Sequence, residues 1–239
     1  KLLSNNIEVV HLTRNKSSNN DVKNYLWDWE KDEIDENCFK DVTHIVHLAG
    51  AGIAEKAWTK KRKKIIVKSR VFTSRLLHSK ISSLNLNISA FISASAVGIY
   101  GAQVSGKIFT EEDQSFEDFM GNCCKQWENA VDQFKSTTRT VKFRLGVILD
   151  KNHGALPRIA NMVKNGLGSP LGDGKQYMPW IHIQDAVNLF FEAILKKNIS
   201  GTYNAVSGDF IDNRNLTMKI GEELNKKICN YLINFFQKK

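Results

Sequence analysis

Four short apolar runs punctuate the chain: IEVVHL at Ile7 to Leu12, HIVHLAG at His44 to Gly50, NISAFISAS at Asn87 to Ser95, and VKFRLGVIL at Val141 to Leu149. They are close to continuous rather than strictly alternating, which marks strands covered on both faces. Between them lie longer stretches of helical character. One runs from Ala54 to Ile81, with Ile65, Ile66, Val71, Leu76 and Leu77 on its apolar positions. Another, FMGNCCKQWENAVDQF, carries a stripe of Met120, Cys123, Cys124, Trp127, Val131 and Phe134. Buried strands separated by helices predict an α/β fold with a doubly wound parallel sheet. SSNN at Ser17 to Asn20 reads as a loop after the first strand, and no repeat or low-complexity linker divides the chain.

In such a fold, ligands sit outside the carboxyl ends of the strands. Three of these ends are suggestive: TRN at Thr13 to Asn15, LAGAG at Leu48 to Gly52, and SASAVGIYG at Ser93 to Gly101. Small residues there admit two readings. A neighbouring helix packs close, or a cofactor crevice opens with hydroxyls facing it.

Composition narrows the classes. A chain of 239 residues suits one larger domain, or one domain with a small lobe. No apolar run reaches the roughly 18 residues of a spanning helix, so no membrane partner is expected. Four cysteines without metal-ligand spacing point to a reducing compartment, read as the cytoplasm with an organelle left open, and to no metal site. The net charge of +9 and the KKRKK run at Lys60 to Lys64 raise the question of nucleic acid. No aromatic residue is interleaved with those lysines, so a solvated helix face is the reading adopted and no nucleic-acid partner is expected. The same charge attracts small phosphorylated ligands.

The segments HLAGAGIAEKAWT, SRVFTSRLL, ISASAVGIYG, QWENA, FRLGVIL and GSPLGDGKQYMPWIHIQDAV stand in an order and spacing that resembles the epimerase-like branch of the short-chain dehydrogenase/reductase superfamily. They look most like its atypical NAD(P)-dependent epimerase family proteins, over roughly residues 7–206. The resemblance implies one Rossmann-like NAD(P)-binding domain over 1–239, with parts of 150–239 forming a small substrate lobe. It further implies cofactor contacts from Thr13, Arg14, Leu48, Ala49, Gly50, Ser93 and Pro157, and an unidentified small-molecule substrate. An arginine after the second strand of a dinucleotide fold accommodates the 2′-phosphate of NADP, and Arg14 with no carboxylate before Asp21 points to NADP(H).

Two departures from the family pattern matter. Dinucleotide folds hold the pyrophosphate on a glycine-rich turn, yet no glycine precedes Gly50. The chain therefore reads as lacking about 20 to 25 family residues, the first strand and glycine loop among them, and weak cofactor binding is expected. The tail from Ile228 to Lys239 also departs from the family. Secondly, classical members use a tyrosine with a lysine four residues on, and none of the five tyrosines here has one. Aligned through Glu128, those two positions hold Met120 and Cys124. Ser95 matches the family's active-site serine and Tyr100 stands nearby. These two are the candidate catalytic residues, the alternative being that Ser95 bonds backbone and Tyr100 merely packs. Asp185 reads as a helix cap, His182 as a structural histidine and Arg144 as a support for the site. Two functions stay open: an NADP(H)-dependent oxidoreductase or epimerase, and a nucleotide-binding regulatory protein without turnover.

Overall fold

The computed structural model describes residues 1–15, 22–102 and 106–228; the Ser17–Asn20 loop and most of the Ile228–Lys239 tail lie outside the described residues. Two sheets carry the fold. In the larger, β4 (His44–His47), β5 (Ala90–Ala96), β6 (Arg139–Leu145) and β9 (Gly201–Ala205) lie in that order, every pair parallel. In the smaller, β1 (Val10–Thr13) pairs parallel with β2 (Lys23–Asp28), which turns back against β3 (Glu33–Ile34). A further parallel pair joins β7 (Val147–Leu149) to β8 (Trp180–His182).

Helices cover both faces of the larger sheet, as expected for an α/β fold of Rossmann type. On β5, Phe91 points toward α1 (Lys60–Ser83) and α2 (Phe119–Asp132), joining Leu76, Leu77, Trp127, Val131 and Phe134. Ala90 and Ile92 point the other way, onto Ala186, Phe190 and Ala193 of α4 (Ile183–Leu195). This alternation on a strand buried along nearly its whole length explains why the sequence shows a continuous apolar run. A separate cluster pairs α3 (Ala155–Lys164) with α5 (Asn213–Glu223) through Val163, Leu216 and Ile220.

Several local expectations are revised. The run at Val141 to Leu149 is two strands, because the chain changes partner at Gly146: its amide donates to the Ala205 carbonyl of β9, while that of Val147 donates to Pro179 just before β8, and a β-carbon on Gly146 would stand 2.6 Å from the Pro179 carbonyl oxygen. The helix expected from Ala54 starts at Lys60, where the Thr59 hydroxyl accepts from the Arg62 amide at 3.2 Å. Asp185 is not the cap of α4. That role falls to His182, whose Nδ1 accepts from the Gln184 amide, while Asp185 sits in the first turn, where the helix dipole favours a carboxylate. Gly172 and Gly174 lie in the turn before β8, both at positive φ. Among the described residues no helix is long and apolar enough to cross a membrane, and no three His, Cys, Asp or Glu side chains gather as metal ligands.

Candidate functional site

The site grows from the carboxyl ends of β4 and β5. After His47 the chain leaves β4 as Leu48, Ala49 and Gly50, with Leu48 63% exposed. Helix α1 holds this loop from below. Ser69 Oγ accepts from the Ala51 amide at 2.9 Å, Arg70 donates to the Ala51 carbonyl at 3.1 Å, and Arg62 donates to the Gly52 carbonyl. A β-carbon on Gly50 would lie 3.0 Å from the Arg70 guanidinium carbon, so the glycine admits the arginine. That guanidinium also lies over the Trp127 ring at 5.2 Å.

Beneath the loop, His47 is buried and stacks on Phe91. Its Nε2 lies 2.9 Å from Thr73 Oγ1 and its Nδ1 3.2 Å from Ser93 Oγ. Thr73 already donates to the Ser69 carbonyl at 2.8 Å, so a neutral ring donates from Nε2, while Nδ1 at 3.2 Å and the Ala94 carbonyl at 2.8 Å compete for the single Ser93 proton. Burial first, then the nearby Arg70 charge, brings the His47 pKa down to about 4. Ser93 is wholly buried, and its hydroxyl is engaged by this histidine and by the Ala94 carbonyl. Its side chain therefore supports the strand end from behind.

Ser95 and Tyr100 are brought together by two residues from other elements. Ser95 Oγ donates to Glu128 Oε1 at 2.6 Å, and Arg144 grips both oxygens of Glu128, Nε to Oε1 at 2.9 Å and Nη2 to Oε2 at 3.0 Å. The remaining terminal nitrogen of Arg144 donates to Tyr100 Oη at 2.8 Å and to the Glu111 carbonyl at 3.0 Å. Tyr100 Oη in turn faces Asn204 Oδ1 at 2.6 Å and the Thr110 carbonyl at 2.9 Å; with one proton, it donates to one of them at a time. Lys142 completes the cluster, 3.4 Å from Glu128 and 2.7 Å from Asp132.

Register produces this assembly. Ser95 and Arg144 are cross-strand partners, as are Ser93 and Lys142, so both cations leave β6 on the face that α2 covers. Burial would raise the Glu128 carboxyl, but Arg144, Ser95 and Lys142 outweigh it and hold it below the usual carboxylate range. Burial lifts the Tyr100 phenol above its ordinary value despite Arg144 and Asn204, so it stays protonated at neutral pH. The network is satisfied within itself. Ser95 has given its proton to Glu128 and keeps only lone pairs to offer.

The remaining candidates lie around this centre. Thr13 and Arg14 end β1, where Thr13 Oγ1 accepts from the Asn15 amide and donates to its carbonyl. Arg14 is exposed and makes no hydrogen bond or ion pair among the described residues. Pro157 lies in the first turn of α3, where its missing N–H costs nothing. The next residue, Arg158, donates to the Ala54 carbonyl at 3.1 Å and ties that turn to the loop after Gly50. Met120 and Cys124 flank Gly98, and burial pushes the Cys124 thiol up to about 12. Neither can stand in for a tyrosine and lysine pair as proton donor and cation.

A parallel α/β sheet with small residues at its strand ends and a loop clamped beside them defines a protein of the Rossmann-like nucleotide-binding class. The chain belongs to the NAD dependent epimerase/dehydratase family, whose profile matches residues 1–122. An epimerase family protein of Mycobacterium bovis is 31% identical over 219 residues, 91% of this chain and 71% of its own length. An Arabidopsis thaliana protein named as a chloroplastic homolog of epimerase family protein SDR39U1 is 32% identical over 197 residues, 80% of this chain and 55% of its own. Among solved structures, human epimerase family protein SDR39U1 with NADPH superposes with a TM-score of 0.82 at 24% identity, covering 96% of this chain and 76% of that one. A nucleoside-diphosphate sugar epimerase from Corynebacterium glutamicum gives 0.76 at 27% identity, covering 100% and 51%.

Proposed function

We propose that this chain binds NADP(H) across the ends of β1, β4 and β5 and acts as an oxidoreductase or epimerase on an unidentified small molecule, without a tyrosine and lysine pair. The observation that carries the reading is Arg14: an exposed guanidinium directly after β1, engaged by no carboxylate among the described residues. A planar fork left open at that position suits the 2′-phosphate, and the human relative was solved with NADPH. Thr13 and Arg14 would hold the phosphate, Leu48 to Gly50 would line the ribose side, and Pro157 would shape the far end. When bound, the cofactor supplies a hydride donor or acceptor. Toward a substrate hydroxyl, Ser95 would accept a hydrogen bond, because Glu128 already takes its proton.

A second reading, cofactor binding without turnover, is favoured by the closed state of the Ser95, Glu128, Arg144 and Tyr100 network, in which no group is poised as a base. Fluorescence titration of the chain with NADPH and NADH tests the binding. Replacing Arg14→Ala is expected to weaken NADPH by about 1.5 to 3 kcal/mol, tenfold or more, and NADH far less. An unchanged ratio removes Arg14 from the site. Hydride transfer across a panel of carbonyl and sugar-nucleotide substrates then separates the two readings.

A further inference from the structure

At the end of the larger sheet opposite the site described above, β6 begins at Arg139 and β9 at Gly201, and beside these amino ends opens a cavity of about 340 Å³. Its size falls within the range of small-molecule sites, roughly 300 to 1,000 Å³. Every residue lining it is a lysine, an arginine, a threonine, a serine or a glycine. Lys135 and Arg139 bring positive charge, and no carboxylate lines it among the described residues.

One buried hydroxyl of this cavity is short of an acceptor. Thr138 is only 7% exposed, and its hydroxyl meets Thr137 Oγ1 at 3.5 Å, well beyond the reach of about 2.5 to 3.0 Å that an O–H···O bond spans. Thr137, which is exposed, has the Phe134 carbonyl as its other neighbour, again at 3.5 Å. Thr140 differs, since it donates to the Thr138 carbonyl at 2.9 Å. The cations are equally underused. Arg139 donates to the Ala193 carbonyl at 2.8 Å and the Ile199 carbonyl at 2.7 Å, so its guanidinium is fixed by neutral partners and no carboxylate offsets its charge among the described residues. Lys135 pairs with Asp132 at 3.0 Å, an exposed pair worth little, and Asp132 holds Lys142 more closely at 2.7 Å.

We infer that this cavity binds a phosphate group, free or carried by a small molecule, at a site separate from the cofactor crevice at the other end of the strands. An apolar ligand would leave the Thr138 hydroxyl unpaired, and a cationic one would meet two like charges. A phosphate monoester carries about −1.5 to −2 at neutral pH, which matches the two cations, and its oxygens accept from several donors at once. Thr138 and Thr137 donate to it, Arg139 sets a fixed positive field, and Lys135 turns from Asp132 to close on the anion.

Amide chemical-shift mapping of the 239-residue chain, titrated with inorganic phosphate at constant ionic strength, tests the site. Saturable shifts are expected at Lys135, at Thr137 to Thr140 and at Gly201. Thr138→Val should raise the Kd about tenfold, the scale of one hydrogen bond to a charged group, and Thr138→Ser, which restores the donor, should bring it back. Lys135→Gln, at a half-exposed side chain whose loss leaves the fold intact, should raise it about two- to fivefold. Shifts that climb without saturating would overturn the inference, as would an unchanged Kd in Thr138→Val or in Lys135→Gln. Saturable shifts confined to Thr13 to Asn15 would overturn it too, by placing the phosphate on the cofactor's side. A parallel titration with glycerol 3-phosphate identifies the source: tighter binding than inorganic phosphate marks a carried group, and weaker binding the free ion. None of these readouts depends on cofactor binding.

Discussion

His47 shows how a residue without an open face still governs the site. It props the end of β4 through Thr73 and Ser93, and it does so as a neutral ring. Its folded pKa of about 4 lies below the ordinary value of about 6.5, so the unfolded chain binds the proton that the folded chain refuses. The stability tied to this group is complete above pH 6.5 and falls as pH drops from 6.5 toward 4, by about 3 kcal/mol in all. Urea unfolding between pH 7.5 and 4.5 should show that slope, and His47→Gln should flatten it. Glu128 cannot produce the same effect. Its folded pKa is depressed from 4.5, so its contribution is lost only below that value. Of these residues the sequence made Ser95 legible as a strand-end hydroxyl, and Arg144 as a support. Glu128 was readable in a different way: a carboxylate four residues after Cys124 on a buried stripe demands a cation, and Lys142 and Arg144 sit two apart on β6 to meet it. What no spacing revealed was that Ser95 spends its proton on that carboxylate, since the pairing joins residues 33 apart in the chain.

At the scale of elements, α1 begins against its own electrostatics. Lys60, Lys61, Arg62, Lys63 and Lys64 crowd the end where backbone amides already present positive charge, and the first turn holds no acidic residue. Thr59 caps the end and Lys63 lies over Phe119 at 4.9 Å, while Lys60 and Lys61 are exposed. Lys61→Glu is expected to raise stability by about 0.3 to 1 kcal/mol at low ionic strength, with the gain fading as salt rises. Denaturant midpoints at two salt concentrations check it. β2 escaped the sequence reading although Tyr25, Trp27 and Trp29 alternate and are all buried. The run KNYLWDWE is too polar between them to resemble the covered strands elsewhere, because β2 carries one buried face and one open one.

For the whole molecule, apolar runs and intervening helices were enough to place the chain in the α/β class, since each such run must find cover on two sides. The place of β9 beside β6 was not legible, since that pairing sets Val141 against Gly201, 60 residues on in the chain. The C-terminal cluster of α3 and α5 was equally hidden, because Val163 meets Leu216 and Ile220 across more than fifty residues of sequence.

The described cysteines, all buried, have one more consequence. Burial pushes the thiols of Cys38 and Cys124 up to about 12 and raises that of Cys123, so a thiol-selective reagent at neutral pH reaches them only when the fold opens around them. Cys38 lines an open cleft between β1 and β4, whereas Cys123 and Cys124 sit on the buried face of α2, toward Arg70 and Gly98. They are clocks set in two different walls. In a Cys229→Ser background, mass spectrometry after timed alkylation should find Cys38 modified well before the vicinal pair, with simultaneous modification indicating that both walls give way in one cooperative event.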